Sequence, residues 1–256
     1  MKITFTGRKS QIGEYFNGKY NFVSYDLFNP QTWDPLLESD VIFMLFPKNK
    51  ETLNASKKFI VRAMDSNIRH IIKIGSLGPW RLIHNQIDTF LRESGIPYTS
   101  FDIAPLMNNI FTEQYIADTR TLLNYRGDAP APYLDPVCLA SAIEQCIDVD
   151  RHKNKNYKCT GNTQYTIDQV RDVLNAKGFT VDRIESTSNV VLHNLSDSHD
   201  EVLMKQIGNR YITEGWFPPV SSDLSKNFMT QARSLEDFID QDKNIFMQRF
   251  SDDKSL

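Results

Sequence analysis

A run of seven residues, DVIFMLF at residues 40–46, is the feature that most constrains the fold of this chain. Six of the seven are apolar, which is typical of a parallel strand covered on both faces. Similar short runs occupy residues 2–6, 21–25, 70–74 and 98–103. Helical patterns lie between several of these runs. The alternation predicts βαβ units and a Rossmann-type, doubly wound, mostly parallel sheet.

The second half of the chain has shorter and less regular elements. Helical patterns with capping residues at their starts alternate there with short strands at residues 157–160 and 181–185. A length of 256 residues is long for one domain and short for two. We therefore expect a Rossmann-type domain over residues 1–160 and a smaller C-terminal α+β substrate lobe over residues 161–256, from which the chain returns to the first domain.

In a sheet of this kind, ligands bind outside the carboxyl ends of the strands, where the strand order reverses. This rule places several glycines and polar residues along one edge of the sheet. They are residues 7–13, Asp26, Phe46, Pro47, Gly75, Ser76 and residues 102–105. We expect the cofactor-binding groups to come from this edge.

The turn after the first predicted strand carries the strongest ligand signal. It reads TGRKSQIG at residues 6–13 and opens a helix, whose free N–H groups and positive dipole end favour an anion. The predicted contacts to a dinucleotide are Gly7, Arg8, Lys9, Ser10, Gln11, Ile12 and Gly13. Asp26 lies 19 residues beyond Gly7, where an acidic residue holds a ribose hydroxyl in NAD-binding proteins.

Two questions about this turn stay open in the sequence. Ser10 stands where a middle glycine is expected, so the turn either binds a dinucleotide or is a structural turn with solvated Arg8 and Lys9. If a cofactor binds, Asp26 favours NAD, whereas Arg8 and Lys9 suit the 2′-phosphate of NADP. The predicted cofactor is therefore NADP or NAD, with loss of the site as the alternative.

Charge and cysteine content exclude several classes of protein. A net charge of −3 argues against a surface tuned to nucleic acid. Cys138, Cys146 and Cys159 have no CxxC spacing, which predicts reduced thiols in a cytoplasmic protein. No stretch approaches 18 uninterrupted apolar residues, so we expect no membrane span. The expected partner is a small-molecule substrate, and the expected state is a monomer or homodimer.

Ser76, His84 and Asp88 are the predicted catalytic groups. Ser76 ends a predicted strand, where its hydroxyl either hydrogen-bonds a substrate oxygen or completes a turn. His84 and Asp88 lie four residues apart on one helix, so we expect their side chains to be neighbours. A carboxylate beside an imidazole favours the protonated form, which suits a proton donor near neutral pH. The alternative is an exposed helix pair that contributes roughly a few tenths of a kcal/mol.

Aromatic and amide side chains near the same edge are candidates for substrate contacts. They are Trp80, Tyr98, Asn108 and Asn109, with Trp216 and Phe217 from the C-terminal lobe. The alternative for the aromatic residues is packing in the core. The histidines show no metal-ligand spacing, so no metal site is predicted.

Several segments together resemble the NmrA-like, or isoflavone-reductase-like, branch of the atypical short-chain dehydrogenases/reductases. The segments are MKITFTGRKSQIG at the start, DLFNPQTWDPLLESDVIFMLFP at residues 26–47, HIIKIGS at residues 70–76, His84 and Asp88 followed by LRESGIPYTSF, residues 135–146, residues 157–166, and RSLEDF at residues 233–238. The resemblance covers nearly the whole chain. It implies a Rossmann domain, a smaller substrate lobe, NAD(P) binding, and reductase activity or redox sensing without turnover.

The chain departs from this family at two notable places. Ser10 replaces a glycine of the first turn, and Asp102 and Ile103 replace the usual Arg-Pro. The leading hypothesis is an NAD(P)-dependent oxidoreductase that reduces a small organic carbonyl, quinone or unsaturated metabolite. The alternative is a non-catalytic NAD(P)-sensing or partner-binding protein with a degenerate cofactor site. A third hypothesis is a cofactor-free member in which the glycine turn is structural.

Overall fold

The computed structural model describes residues 4–7, 21–46, 51–78, 81–124, 127–147, 150–186 and 219–252. Its first two strands, β1 (Thr4–Gly7) and β2 (Asn21–Ser24), pair in parallel. A 3-10 helix (Pro30–Thr32) and the short helix α1 (Asp34–Leu37) follow. Asn29 caps the 3-10 helix because its side-chain oxygen accepts the N–H of Gln31.

Strands and helices then alternate as the apolar runs predict. In chain order the elements are β3 (Val41–Leu45), α2 (Thr52–Met64), β4 (His70–Ser76), α3 (Arg81–Ser94), β5 (Tyr98–Ile103), a π-helix (Ile110–Gln114), β6 (Tyr115–Ile116), β7 (Thr121–Asn124), α4 (Pro136–Cys146), a second 3-10 helix (Asp150–His152), β8 (Lys155–Cys159), α5 (Ile167–Ala176), β9 (Arg183–Ser186), α6 (Asp223–Phe228) and α7 (Leu235–Asp252). No helix within the described residues is long and apolar enough to cross a membrane.

A four-stranded parallel sheet, in the order β3-β4-β5-β8, positions the candidate site. Neighbouring residues of a strand face opposite sides, so Ile71 packs with α2 and α3 whereas Ile72 packs with α4 and α6. Helices thus cover both faces of the two inner strands, β4 and β5, in which every residue but the last is buried. The predicted Rossmann-type, doubly wound fold is confirmed.

Helices α2 and α3 pack on the same face because each has one apolar side. Helix α2 buries Phe59, Ile60 and Ala63, and α3 buries Ile87 and Leu91. Full burial of one such side chain contributes about 1.5–3 kcal/mol. These residues anchor the helix that carries the predicted catalytic groups against the sheet.

A second apolar core lies outside the central sheet. It joins the small sheet β6-β7-β9 to helices α5 and α7. Helix α5 begins with a capping box, in which Thr166 and Gln169 exchange side-chain-to-backbone hydrogen bonds. This core includes Met107 and Tyr133 as well as residues beyond 160. The domain boundary at residue 160 stays a prediction.

The segment before β8 differs from its predicted structure. Residues 148–156 have the polar composition of a surface loop, but Asp150–His152 forms a 3-10 helix and His152 is buried. The imidazole stacks on Phe228 at 4.5 Å, and its Nδ1 shares a 2.9 Å hydrogen bond with the Tyr157 hydroxyl. Polar composition alone does not predict this burial, because Phe228, which stacks on the imidazole, lies in an element that is distant in sequence.

A buried ion pair between Asp135 and Arg233 connects the start of α4 to the segment before α7. The Asp135 carboxylate is fully buried, caps α4 by accepting the Val137 N–H, and accepts two hydrogen bonds from Arg233. Burial raises the pKa of Asp135, but hydrogen bonds from Arg233, Val137 and Cys138 outweigh it and leave the pKa below its usual value. The carboxylate therefore stays charged and stabilises the folded state.

Replacing Arg233 with glutamine tests this ion pair. We expect Arg233→Gln to lower the free energy of unfolding by about 3 kcal/mol, because it leaves Asp135 charged and buried. Arg62→Gln, which removes an exposed pair with Asp34, should cost less than about 1 kcal/mol. Urea unfolding measures both variants at pH 7. Equal effects of the two substitutions would contradict the assignment.

The same pair predicts a pH dependence. The folded-state pKa of Asp135 is lowered, so its stabilisation is present above the unfolded value of 3.8 and is lost as the pH falls through the folded-state pKa. The difference between the wild type and Arg233→Gln should shrink accordingly below pH 3.8. A difference that stays constant there would argue against the ion pair as its source.

Candidate functional site

The carboxyl ends of β4 and β5 meet at one edge of the central sheet. In the register of the two strands, Gly75 lies opposite Asp102 and Ser76 lies opposite Ile103. Phe46 directly follows the neighbouring strand β3 and is buried, with its ring centroid 6.3 Å from that of His84. The edge that the sequence predicts as the ligand-binding edge is therefore lined by residues of three strands and of helix α3.

A fully buried lysine lies below this edge, between β4 and α3. Its ammonium group donates hydrogen bonds to the Asp88 carboxylate at 2.6 Å, the Ser100 hydroxyl at 2.9 Å and the His84 carbonyl oxygen at 3.4 Å. This residue, Lys73, has no exposed side-chain surface. Burying an ammonium group costs several kcal/mol of hydration, and the three hydrogen bonds and the charge of Asp88 offset that cost.

Asp88 pairs with Lys73 rather than with His84, which corrects the predicted histidine–aspartate pair. Both Asp88 and His84 are buried, so the alternative of an exposed helix pair is also wrong. Burial, and then the charge of Lys73, lowers the pKa of His84 to about 3. The imidazole is therefore neutral at pH 7, and the predicted protonated form is not favoured. Its Nδ1 is buried without a hydrogen-bond partner among the described residues.

Asp102 is a second acidic group beside Lys73. Its Oδ1 lies 3.8 Å from the ammonium nitrogen, and no hydrogen-bond partner for this buried atom occurs within the described part of the chain. Burial raises the pKa of Asp102 to about 6; the charge of Asp88 acts in the same direction and that of Lys73 opposes it. Two carboxylates thus share one buried ammonium group, and Asp88 makes the direct hydrogen bond.

The position of the Asp102 carboxyl requires a glycine on the neighbouring strand. A Cβ at residue 75 would lie 2.3 Å from Asp102 Oδ1 and 3.0 Å from the nitrogen of Lys73. Any larger residue would displace the carboxyl group from this place. Gly75, predicted as a cofactor-binding residue, therefore has a packing role that the structure shows directly.

Ser76 and Asp26 both use their side chains within local turns. The Ser76 hydroxyl accepts the N–H of Gly78 at 3.0 Å, and the Asp26 carboxylate accepts the N–H of Phe28 at 3.0 Å. Both residues are half-buried, and each follows or ends a parallel strand. By strand alternation Ser76 belongs to the face opposite Gly75 and Asp102. The structure therefore does not group Ser76 with His84 and Asp88.

The predicted substrate contacts are only partly within the described residues. Asn108 and Asn109 precede the π-helix and are half-buried, and Asn108 Oδ1 is buried without a hydrogen-bond partner there. Tyr98 packs in the core. The predicted site residues that lie outside the described ranges are Arg8, Lys9, Ser10, Gln11, Ile12, Gly13, Pro47, Trp80, Trp216 and Phe217.

Sequence reasoning missed Lys73 entirely. The residue sits inside the apolar run HIIKIGS, and a charged residue in a run covered on both faces is itself a signal, since lysine is almost never fully buried unless it is paired. Its partners come from the neighbouring strand and from α3, and the spacing of residues along the chain does not show them.

Comparison with solved structures identifies proteins of the same fold. A triphenylmethane reductase of Citrobacter sp., solved with NADP(H), matches with a TM-score of 0.75 at 16% identity over 93% of this chain and 90% of that one. An NADPH-dependent quinone oxidoreductase of Escherichia coli, solved with NADPH, matches with a TM-score of 0.74 at 14% identity over 93% and 89%. NmrA, a negative transcriptional regulator solved with NAD, matches with a TM-score of 0.69 at 14% identity over 92% and 85%.

These matches confirm the resemblance at the level of the fold. No protein-family model matches the sequence, and no curated protein matches it in a sequence search. The fold that the NmrA-like segments imply is thus shared with solved proteins across most of each chain. The contacts of the residues in this chain are therefore the basis for their proposed roles.

A double-mutant cycle tests the packing of Gly75 against Asp102. We expect Gly75→Ala to lower the free energy of unfolding by about 1–3 kcal/mol, because the added Cβ overlaps the carboxyl group. In the Asp102→Ala background the same substitution should cost clearly less, since the overlapping atom is gone. Urea unfolding of the four proteins gives the coupling energy. Additive effects would contradict the close approach.

Proposed function

We propose that this protein is an NAD(P)-dependent reductase of a small organic carbonyl, quinone or unsaturated compound. The main support is the cluster of buried polar groups at the carboxyl edge of β4 and β5. Buried polar atoms that have no partner among the described residues, such as His84 Nδ1 and Asp102 Oδ1, cost stability, and groups with perturbed pKa values concentrate at functional sites. Two proteins of the same fold carry reductase or oxidoreductase names.

The ends of the first two strands support the proposal of a dinucleotide site there. Gly7 ends β1 opposite Ser24 of β2, and Asp26 follows two residues later. The two strands are parallel, so their carboxyl ends lie at the same edge, where a phosphate-binding turn and a ribose-binding carboxylate are needed. Asp26 is half-buried and held in a turn that also binds the indole N–H of Trp33 through its carbonyl oxygen.

The nicotinamide ring of the proposed cofactor supplies a hydride to the substrate. We assign Ser76 to a hydrogen bond with a substrate oxygen on the face of β4 opposite to Asp102, since the Ser76 oxygen accepts the Gly78 N–H and its O–H can still donate. We assign His84 to the same edge as a neutral imidazole, which orients a bound group through hydrogen bonding rather than through charge. Asp88 acts on the site through Lys73. Asn108 and Asn109, with Trp80 and Trp216, remain the proposed substrate contacts, and residues 161–256 the proposed substrate lobe.

The second candidate function is NAD(P) sensing without turnover. Two observations favour it: the neutral state of His84, which removes the predicted proton donor, and the shared fold with NmrA, which is named a transcriptional regulator. This function predicts nucleotide binding with no oxidation of NADPH across a panel of quinones, aldehydes and enones. Steady turnover of any of these compounds would exclude it.

Calorimetry with NADH and NADPH tests the proposed cofactor site. We expect micromolar or tighter binding of at least one nucleotide. Asp26→Asn should weaken NADH binding about tenfold or more, because the variant loses a charged acceptor for the ribose hydroxyls. Asp34→Asn, in an exposed pair on the same segment, is the matched control and should leave affinity unchanged. Failure of the wild type to bind either nucleotide would reject the reductase.

A further inference from the structure

We propose that Asp102 holds the proton that the substrate takes up in the reduction, and that Lys73 stabilises the carboxylate left behind. This inference rests on the proposed reductase function and assigns a role to two residues that the sequence pattern does not mark as catalytic. It follows from the number, place and partners of the charges beneath the edge of the sheet.

The number of charged groups in the cluster indicates that it binds one proton. The buried group contains one ammonium, from Lys73, and two carboxyl groups, from Asp88 and Asp102. If both carboxyl groups were ionised, the cluster would hold an uncompensated negative charge away from water, which is costly. Binding one proton makes the cluster neutral. One carboxyl group of the cluster is therefore readily protonated.

Geometry places that proton on Asp102. Asp88 accepts a 2.6 Å hydrogen bond from Lys73, whereas Asp102 Oδ1 is 3.8 Å away and accepts no hydrogen bond from the described residues. The carboxylate with the direct bond is the better stabilised one. The pKa of Asp102, raised by burial to about 6, agrees with this assignment.

The other charged groups near Asp102 affect its pKa less than Lys73 and Asp88 do. Arg81 at the start of α3 and Lys158, opposite Asp102 on β8, both lower the pKa of Asp102, and each acts more weakly than burial and Lys73. Cys159 of β8 is a buried thiol with a pKa well above its usual value. His84 of α3 is neutral. The cluster of Lys73, Asp88 and Asp102 therefore determines where the proton is held.

The proposed step balances in atoms and charge. With a reduced nicotinamide bound, its hydride would form the new C–H bond and leave the oxidised cofactor, and the π electrons of the substrate double bond would pass to oxygen. The O–H bond of Asp102 would then break as a new O–H bond forms on the substrate oxygen. The resulting carboxylate lies 3.8 Å from the Lys73 ammonium, which stabilises its charge. Asp102 regains a proton from solvent through the 11% of its side chain that is exposed.

Carboxyl NMR of the free protein tests where the proton is held. With aspartate labelled with carbon-13 at the side-chain carboxyl, we expect one resonance to titrate near pH 6 and to disappear in Asp102→Asn. In Asp88→Asn its midpoint should fall, because Lys73 is released to pair with Asp102. Asp118→Asn, at an exposed aspartate, should leave this resonance unchanged. Absence of any aspartate titrating above pH 5, or survival of the resonance in Asp102→Asn, would overturn the proposal.

The pH dependence of single turnovers tests delivery of the proton. With NADPH and a quinone or aldehyde acceptor, the wild-type rate should fall as the pH rises above about 6, and Asp102→Asn should lower the rate about 100-fold at pH 6 and flatten the profile. An unchanged profile in Asp102→Asn would overturn the role. Absence of wild-type turnover beside an intact NMR titration would instead contradict the reductase function, so the two failures are distinguishable.

Discussion

The buried ammonium group of Lys73 determines how the carboxyl edge of the central sheet is organised. It holds Asp88 at 2.6 Å and Ser100 at 2.9 Å, and thereby ties helix α3 to strands β4 and β5 through hydrogen bonds as well as apolar packing. Its charge also affects both titratable groups nearest the edge, since it lowers the pKa of His84 and opposes the rise in the pKa of Asp102. Burial and the charge of Lys73 together therefore determine the electrostatics of the proposed site.

The architecture was predictable because apolar periodicity reports burial directly. The run at residues 40–46 produced β3, and Gly95 ends α3 in the left-handed conformation expected of a terminal glycine. The site was less predictable because its contacts cross between elements. The i,i+4 spacing of His84 and Asp88 correctly gives two residues near each other on one helix, but Lys73 comes from another element and takes Asp88 as its partner. The spacing of residues along one helix cannot show a binding partner that comes from another element.

The structure shows what surrounds Asp102, one of the positions at which the sequence departs from the NmrA-like pattern. The sequence has Asp102 where the resemblance implies arginine, and the Oδ1 atom of this aspartate lies 3.8 Å from the Lys73 ammonium group of the neighbouring strand. Gly75 then makes room for the shorter carboxyl group. Only the fold is shared with the solved NADPH- and NAD-binding proteins, so this charge arrangement has to be tested in this chain itself.

Calorimetry in buffers of different ionisation enthalpy measures the proposed cofactor binding at the strand ends and the proposed proton on Asp102 in the same experiment. A dinucleotide bound at this edge excludes water and brings negative charge, which raises the affinity of Asp102 for its proton. At pH 6.5 we predict that NADPH binding takes up a fraction of a proton at Asp102, in addition to any proton exchanged by the 2′-phosphate of the nucleotide, so that the observed enthalpy depends on the buffer more strongly in the wild type than in Asp102→Asn. The same buffer dependence in both proteins, or no binding of either NADPH or NADH, would contradict this prediction.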